Sequence, residues 1–175
     1  MRWILLVWML LFAGCATKTY YLPSTPAPKV QHHITCSVGV SDVQLPEYVL
    51  VGKLLYKEGS RVGYVEDFAF GEDIERFFTK ATIEYLRQAL QDPDVMHYPW
   101  EVEQKPRLVV RIVVEEFYLD RKDNTLLLRG HIHIGKRLVS FAERQRVQGS
   151  ITQAIDRLIA KYLEKVATAV DRSCR

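Results

Sequence analysis

The chain has 175 residues, 48% of them hydrophobic and 26% charged, with 24 Lys and Arg against 21 Asp and Glu. That length suits one domain with a real core. A formal net charge of +3 without any block of like charges gives no electrostatic case for nucleic acid, and there is no low-complexity tract or internal repeat.

Met1 and Arg2 precede eleven uncharged residues, Trp3 to Ala13. The run is too short to span a bilayer, which needs about twenty apolar residues. Its positive start, short apolar core and small residues before a cleavage point read as a secretory signal. Ala13, Gly14 and Cys15 follow in the order of a bacterial lipobox, so residues 1–14 resemble a lipoprotein signal peptide. By that resemblance Cys15 becomes the mature N-terminus, carrying a diacylglyceryl thioether and an N-acyl chain. Several acyl chains anchor durably where one holds only marginally. Ala16, standing where Asp would favour the inner membrane, favours the outer one.

Residues 15–33 read as the lipidated Cys and a Pro-rich tether, in which Pro23, Pro26 and Pro28 push the backbone toward an extended form. Eighteen residues at about 3 Å each would reach roughly 55 Å. Tyr20, Tyr21 and Leu22 are too apolar for a spacer, and are expected to dock on the domain or on a partner.

Residues 34–175 form the domain. Ile34, Cys36, Val38 and Val40 alternate with polar residues and Gly39 as in a half-buried strand, and the parity slips near Ser41–Asp42, as a bulge would cause. Pro46 ends the segment. Residues 49–56 and 61–65 read as two strands joined by a KEGS turn. Residues 73–91 carry Ile74, Phe77, Phe78, Ala81, Tyr85, Leu86, Ala89 and Leu90 at helical spacing, and Pro93 stops them. The strongest β signal follows. Leu108, Val110, Ile112 and Val114 face one side of a strand, and Leu126, Leu128, Ile132 and Ile134 face one side of the next. Because these are all even-numbered, an antiparallel pairing needs an odd connection, and a three-residue loop Lys122–Asp123–Asn124 fits, with Asn124 in the left-handed region. Residues 138–147 add one short strand. Residues 151–170 make a second helix, with Ser150 as its N-cap. The pattern indicates an α+β fold: a mostly antiparallel sheet of about five to six strands with two amphipathic helices on one face.

With Cys15 assigned to lipid, Cys36 and Cys174 remain as an even pair in an oxidising compartment. Either they are bridged, or Cys36 is a buried small apolar residue and Cys174 lies in a frayed tail; spacing leaves both open.

Chemistry is sparse. His131 and His133 lie two apart on a strand and point the same way, but two ligands are not a metal site, and they read as surface histidines. His32 and His33 are weaker still. Glu115 and Glu116, adjacent on a strand, should point to opposite faces and so cannot act as an acid/base pair. No nucleophile elbow, P-loop or glycine fingerprint occurs. The residues make no case for an enzyme, a cofactor or a metal.

The lipobox Cys15 followed by the YYLP segment, the stretch VGVSDVQLPEYV with its Leu45–Pro46–Glu47–Tyr48–Val49 turn, the aromatic VEDFAFGEDIERFF approach to the first helix, and the LVVRIVVEEFYLD…LLLRGHIHI hairpin occur in one order. In that order they resemble the ABC-transport auxiliary lipoproteins found with paraquat-inducible membrane transport operons. Phe70 stands where Trp is common in that family, and Val49 where Leu is. The resemblance implies a non-catalytic, periplasm-facing lipoprotein of the outer membrane. Its partner would be the MCE-domain protein of an inner-membrane ABC-type transporter that moves lipid between the two membranes. A homo-oligomeric ring is among the arrangements it allows. Tyr20, Tyr21, Leu45, Pro46 and Tyr48 are the candidate partner contacts, Tyr being frequent at interface hot spots. The alternative is an outer-membrane lipoprotein that assists lipopolysaccharide export, although the Cys-Gly-Phe start usual there is absent.

Overall fold

The hairpin over residues 108–134 is the spine of the computed structural model, which describes residues 19–29, 31, 36–90 and 94–175. Ile34 of the expected first strand, like Cys15, lies outside the described residues. In chain order the elements are β1 (Thr19–Tyr21), β2 (Val38–Val40), the short helix α1 (Glu47–Leu50), β3 (Leu55–Glu58), β4 (Arg61–Tyr64) and β5 (Phe68–Phe70). Then follow α2 (Ile74–Leu90), β6 (Val95–His97), a 3-10 turn (Val102–Gln104), β7 (Leu108–Asp120), β8 (Thr125–Ile134), β9 (Arg137–Arg146) and α3 (Ile151–Cys174).

β7, β8 and β9 form an antiparallel meander with the longest ladders in the molecule. The other edge of β7 is shared. β2 pairs with its beginning (Val38 opposite Leu108) and β3 with its end (Tyr56 opposite Leu119), both parallel. β6 adds to β2 in parallel and β4 to β3 as an antiparallel hairpin. β1 and β5 make a separate parallel pair. The fold is α+β, as the order of elements implies, with the parallel ladders of the short strands added to the expected antiparallel ones.

Both helices cover one face. α3 crosses β8 and β9, α2 lies against β2 and β6, and the two touch each other. Between them and the sheet lie Val110, Ile112, Phe117, Leu126, Leu128 and Ile132, all at most 1% exposed. Burial of such side chains is the main favourable term in the fold, on the order of 2 kcal/mol each. Ser150 caps α3 as its sequence position suggests, its side chain accepting from the Gln153 N–H at 3.2 Å.

Several elements differ from expectation. The β7–β8 connection has four residues, because Asp120 pairs with Thr125. Asn124 does take the left-handed conformation, at φ 48°. An even-length connection suffices because a bulge between Val114 and Glu116 shifts the register of β7. Before it Val110, Ile112 and Val114 face the core, and after it Phe117 and Leu119 do. One inserted residue reverses the alternation. Residues 47–50 are helical where 49–56 reads as a strand, so the strand starts only at Leu55. The parity slip after Val40 is present: Val38, Val40, Val43 and Leu45 are all buried, and Gln44 bridges to Val113. The strand expected at 138–147 is present as the ten-residue β9, offset by one position.

Candidate functional site

Three regions concern function: the N-terminal strand, the turn after it in space, and the sheet face opposite the helices.

β1 lies on β5 with Tyr20 opposite Ala69 and Tyr21 opposite Phe70, and the Gly71 N–H closes the pair on the Tyr21 carbonyl at 2.8 Å. The alternation within the segment sets what each side chain does. Tyr21 and Pro23 turn inward; Tyr20 and Leu22 turn outward, at 65% and 67% exposure. Tyr21 packs against Phe68 and Phe70, and its hydroxyl donates to Asp156 of α3. Burial first, and then the Asp156 carboxylate, push the Tyr21 hydroxyl above its ordinary pKa. The chain continues along α2, where the Thr25 hydroxyl bonds Glu84 at 2.9 Å. The described part of the segment read as a tether therefore begins as a strand on the domain at Thr19 and follows α2 at Thr25. A free reach of 55 Å does not survive.

The Leu45–Tyr48 turn is built into the core. Leu45 is buried, Pro46 and Tyr48 are half-buried, and the Tyr48 hydroxyl accepts the Phe117 N–H at 3.0 Å. That N–H lies on β7 between the stretch paired with β2 and the stretch paired with β3, where no strand reaches it. Desolvation is the main reason the Tyr48 hydroxyl is shifted upward. Of the five candidate partner contacts, only Tyr20 is turned to solvent as an exposed side chain. Tyr21, Leu45 and Tyr48 hold the surface up from below.

Among the described residues α2 and α3 leave the other face of β7–β8–β9 uncovered, although Leu127 on it is buried. Its rows, read from the ladder, place Arg111, His133 and Leu138 together, then Val113, His131 and Ser140, then Glu116, Arg129 and Ala142, then Tyr118, Leu127 and Arg144. Leu138 is 60% exposed, and it borders a shallow hollow of about 540 Å³ that includes Arg129 and His131. His131 and His133 do point the same way, rings 4.9 Å apart and edge to face. The bulge overturns one expectation. Glu115 reaches His131 Nδ1 (3.4 Å) and Glu116 reaches Arg129 (3.2 Å), so both carboxylates serve this one face. Each carboxylate has a partner there, the His131 imidazole for Glu115 and the Arg129 guanidinium for Glu116. Among the described residues no group of three or more His, Cys, Asp or Glu is placed to hold a metal, and no helix is long and apolar enough to cross a membrane. A larger hollow of about 570 Å³ beside α2 is lined by charges of both signs, including Asp42, Glu84, Arg76 and Arg87. Within it Asp42 pairs with His97 at 2.7 Å and Lys80 with Glu84 at 3.9 Å.

Cys36 and Cys174 are disulfide-bonded, with Cα atoms 6.0 Å apart, tying the approach to β2 to the end of α3.

Sequence reasoning missed β1 as a strand and β5 as its partner, because three-residue elements carry too little alternation to register. The aromatic run Phe68–Ala69–Phe70 was the available signal.

Two solved structures share the fold. One, an uncharacterized protein, superposes with a TM-score of 0.64 at 14% identity, covering 91% of this chain and 99% of its own. The other, XCC0632 from Xanthomonas campestris, of the DUF330 family, superposes with a TM-score of 0.71 at 10% identity, covering 89% and 97%. No curated protein matches the sequence. The profile of one family matches residues 20–172, starting at the first exposed tyrosine of β1 and ending near the close of α3. The chain belongs to that family, the ABC-type transport auxiliary lipoprotein components.

Proposed function

We propose that this protein is a non-catalytic adaptor of an MCE/ABC-type lipid transport system, anchored through acylated Cys15 to the periplasmic side of the outer membrane. The observation that carries the reading is the family match over residues 20–172 in a chain whose Cys15 closes a lipobox-like run. The anchor, the signal peptide at 1–14 and the compact domain suit an attachment role. The family assignment favours this reading over assistance in lipopolysaccharide export.

Partner docking belongs on the uncovered sheet face. Arg111, Arg129, Arg144 and Arg146 outnumber the acids of that face, Glu115, Glu116 and Asp120, and Leu138 supplies an exposed apolar anchor. Such a face suits an acidic surface on the MCE-domain protein, since complementary charge speeds and orders encounter. Tyr20 remains the alternative contact. The test is in-cell photocrosslinking from Leu138 and from Tyr20, followed by mass spectrometry of the membrane fraction. Capture of an MCE-domain protein from Leu138 is expected. Capture of an outer-membrane β-barrel from either position would transfer the protein to the export reading.

A further inference from the structure

We infer that the outward side of β1 and its neighbours is a membrane-seating face, taking the neutral headgroup surface of zwitterionic phospholipid. The inference rests on the acylation of Cys15 proposed above and adds where the domain sits relative to that anchor.

The argument begins with chain length. Thr19 is the first residue of β1 and is hydrogen-bonded into the pair with β5. Three residues separate it from Cys15, and the four extended steps between the two Cα atoms span at most about 14 Å. The headgroup layer on one side of a bilayer is itself roughly 5–8 Å thick. An acylated Cys15 therefore holds β1 at the headgroups, and the domain has no tether on which to stand off.

The residues at that point are apolar and exposed. β5 lies between two segments: β1 on one side, and on the other residues 50–52, where the Gly52 carbonyl accepts the Phe70 N–H at 2.8 Å. Tyr20 and Leu22 project from the first, Leu22 lying over Gly71. Leu50 and Val51, at 49% and 58% exposure, project from the second. A tyrosine among aliphatic side chains suits the membrane interface, where one end of the ring is apolar and the other wet. All four are large, apolar and exposed, whereas Tyr21 beside them is spent on the core.

Charge selects the lipid. Glu47, Glu66, Asp67, Glu72 and Asp73 are exposed and flank the same elements, against Lys53 and, next to Thr19 in the sequence, Lys18. An anionic surface would be repelled and a zwitterionic one tolerated, the reverse of the polybasic pattern that seeks anionic lipid.

The test uses the full mature chain, acylated and reconstituted in phosphatidylcholine vesicles. A fluorescent amino acid is placed at Leu22 in one sample and at Leu138 in another, and quenched by phosphatidylcholine carrying a headgroup nitroxide. Quenching at Leu22 is expected to exceed that at Leu138 by about threefold or more, given the headgroup depth. A Val51→Glu substitution should reduce it, and replacing a third of the lipid with an anionic species should too. If the protein floats with the vesicles but Leu22 is quenched no more than Leu138, the seating face is wrong while the anchor stands. Photocrosslinking of Leu22 to protein rather than lipid in native membranes would overturn it as well, making the patch a protein interface. If the intact chain does not float, the Cys15 anchor fails and takes this inference with it.

Discussion

Tyr162 sits where α3, α2 and the sheet meet. Its ring packs on Phe78 and Phe141, at 5.4 and 5.5 Å, and its hydroxyl pairs with Thr82 at 3.0 Å, which itself donates to the Phe78 carbonyl. Full burial pushes this hydroxyl far above its ordinary pKa, only partly countered by the Thr82 bond, and Tyr21 is raised for the related reasons given above. For a tyrosine whose folded pKa exceeds its unfolded value near 10, the stability gained from the neutral form is complete below about pH 10 and is lost as pH climbs toward the folded value. Urea midpoints should therefore fall steeply above pH 10. A Tyr162→Phe variant should cost about 1 kcal/mol at neutral pH, where one hydrogen bond is lost, yet show a shallower alkaline decline. Parallel declines in variant and parent would show that Tyr162 titrates freely.

At the scale of elements, the bulge in β7 organises the middle of the fold. It reverses which residues face the helices, brings Glu115 and Glu116 to one face, and lies beside the β7 edge that Tyr48 completes through the Phe117 N–H. Gly130, opposite Val114, belongs to the same device, because a Cβ there would run into the Val113 carbonyl and crowd Phe141. A Tyr48→Phe substitution keeps the ring and removes the acceptor. It should lower stability by about 1–2 kcal/mol, the cost of leaving a half-buried N–H unpaired, read as a shifted urea midpoint with an unchanged slope. No shift would mean that water replaces the hydroxyl without loss. The even-numbered apolar runs on either side of the turn were legible as strands, but the bulge was not. Its residues, Glu115 and Glu116, are polar and give no alternation to break. The three-residue loop inferred from parity was the consequence: the count was right only for an unbulged ladder.

For the whole molecule, the Cys36–Cys174 bond closes a separation of 138 residues, joining the beginning of the large sheet to the last turn of the last helix. In the chain-entropy picture a loop of that length contributes about 5 kcal/mol. The Cys36→Ser, Cys174→Ser double variant should lose several kcal/mol of that in a denaturant series, and reductant should weaken the parent by a similar amount while leaving the variant alone. Equal midpoints with and without reductant would show that the bond adds nothing to stability. β1 is held to the same body by its pairing with β5 and by Tyr21, which reaches Asp156 near the start of the helix whose other end the disulfide pins.

The two helices, the long hairpin, the Ser150 cap and the α+β class follow from the sequence alone, because each rests on a periodicity of ten residues or more, or on a local hydrogen bond within one turn. The family resemblance was legible too, since ordered short motifs survive in linear form. Only the tertiary structure decided what those motifs do. Tyr20 and Tyr21 are neighbours of one type in the sequence, yet one is solvent-facing and the other anchors to α3. Tyr48 became a backbone acceptor, and Thr19–Tyr21, just before the prolines, a strand on the domain. These outcomes depend on partners 69 and 135 residues away, and a pairing across such distances leaves no trace in local spacing. What reaches across the chain is decided by which edges and carbonyls the assembled sheet leaves open.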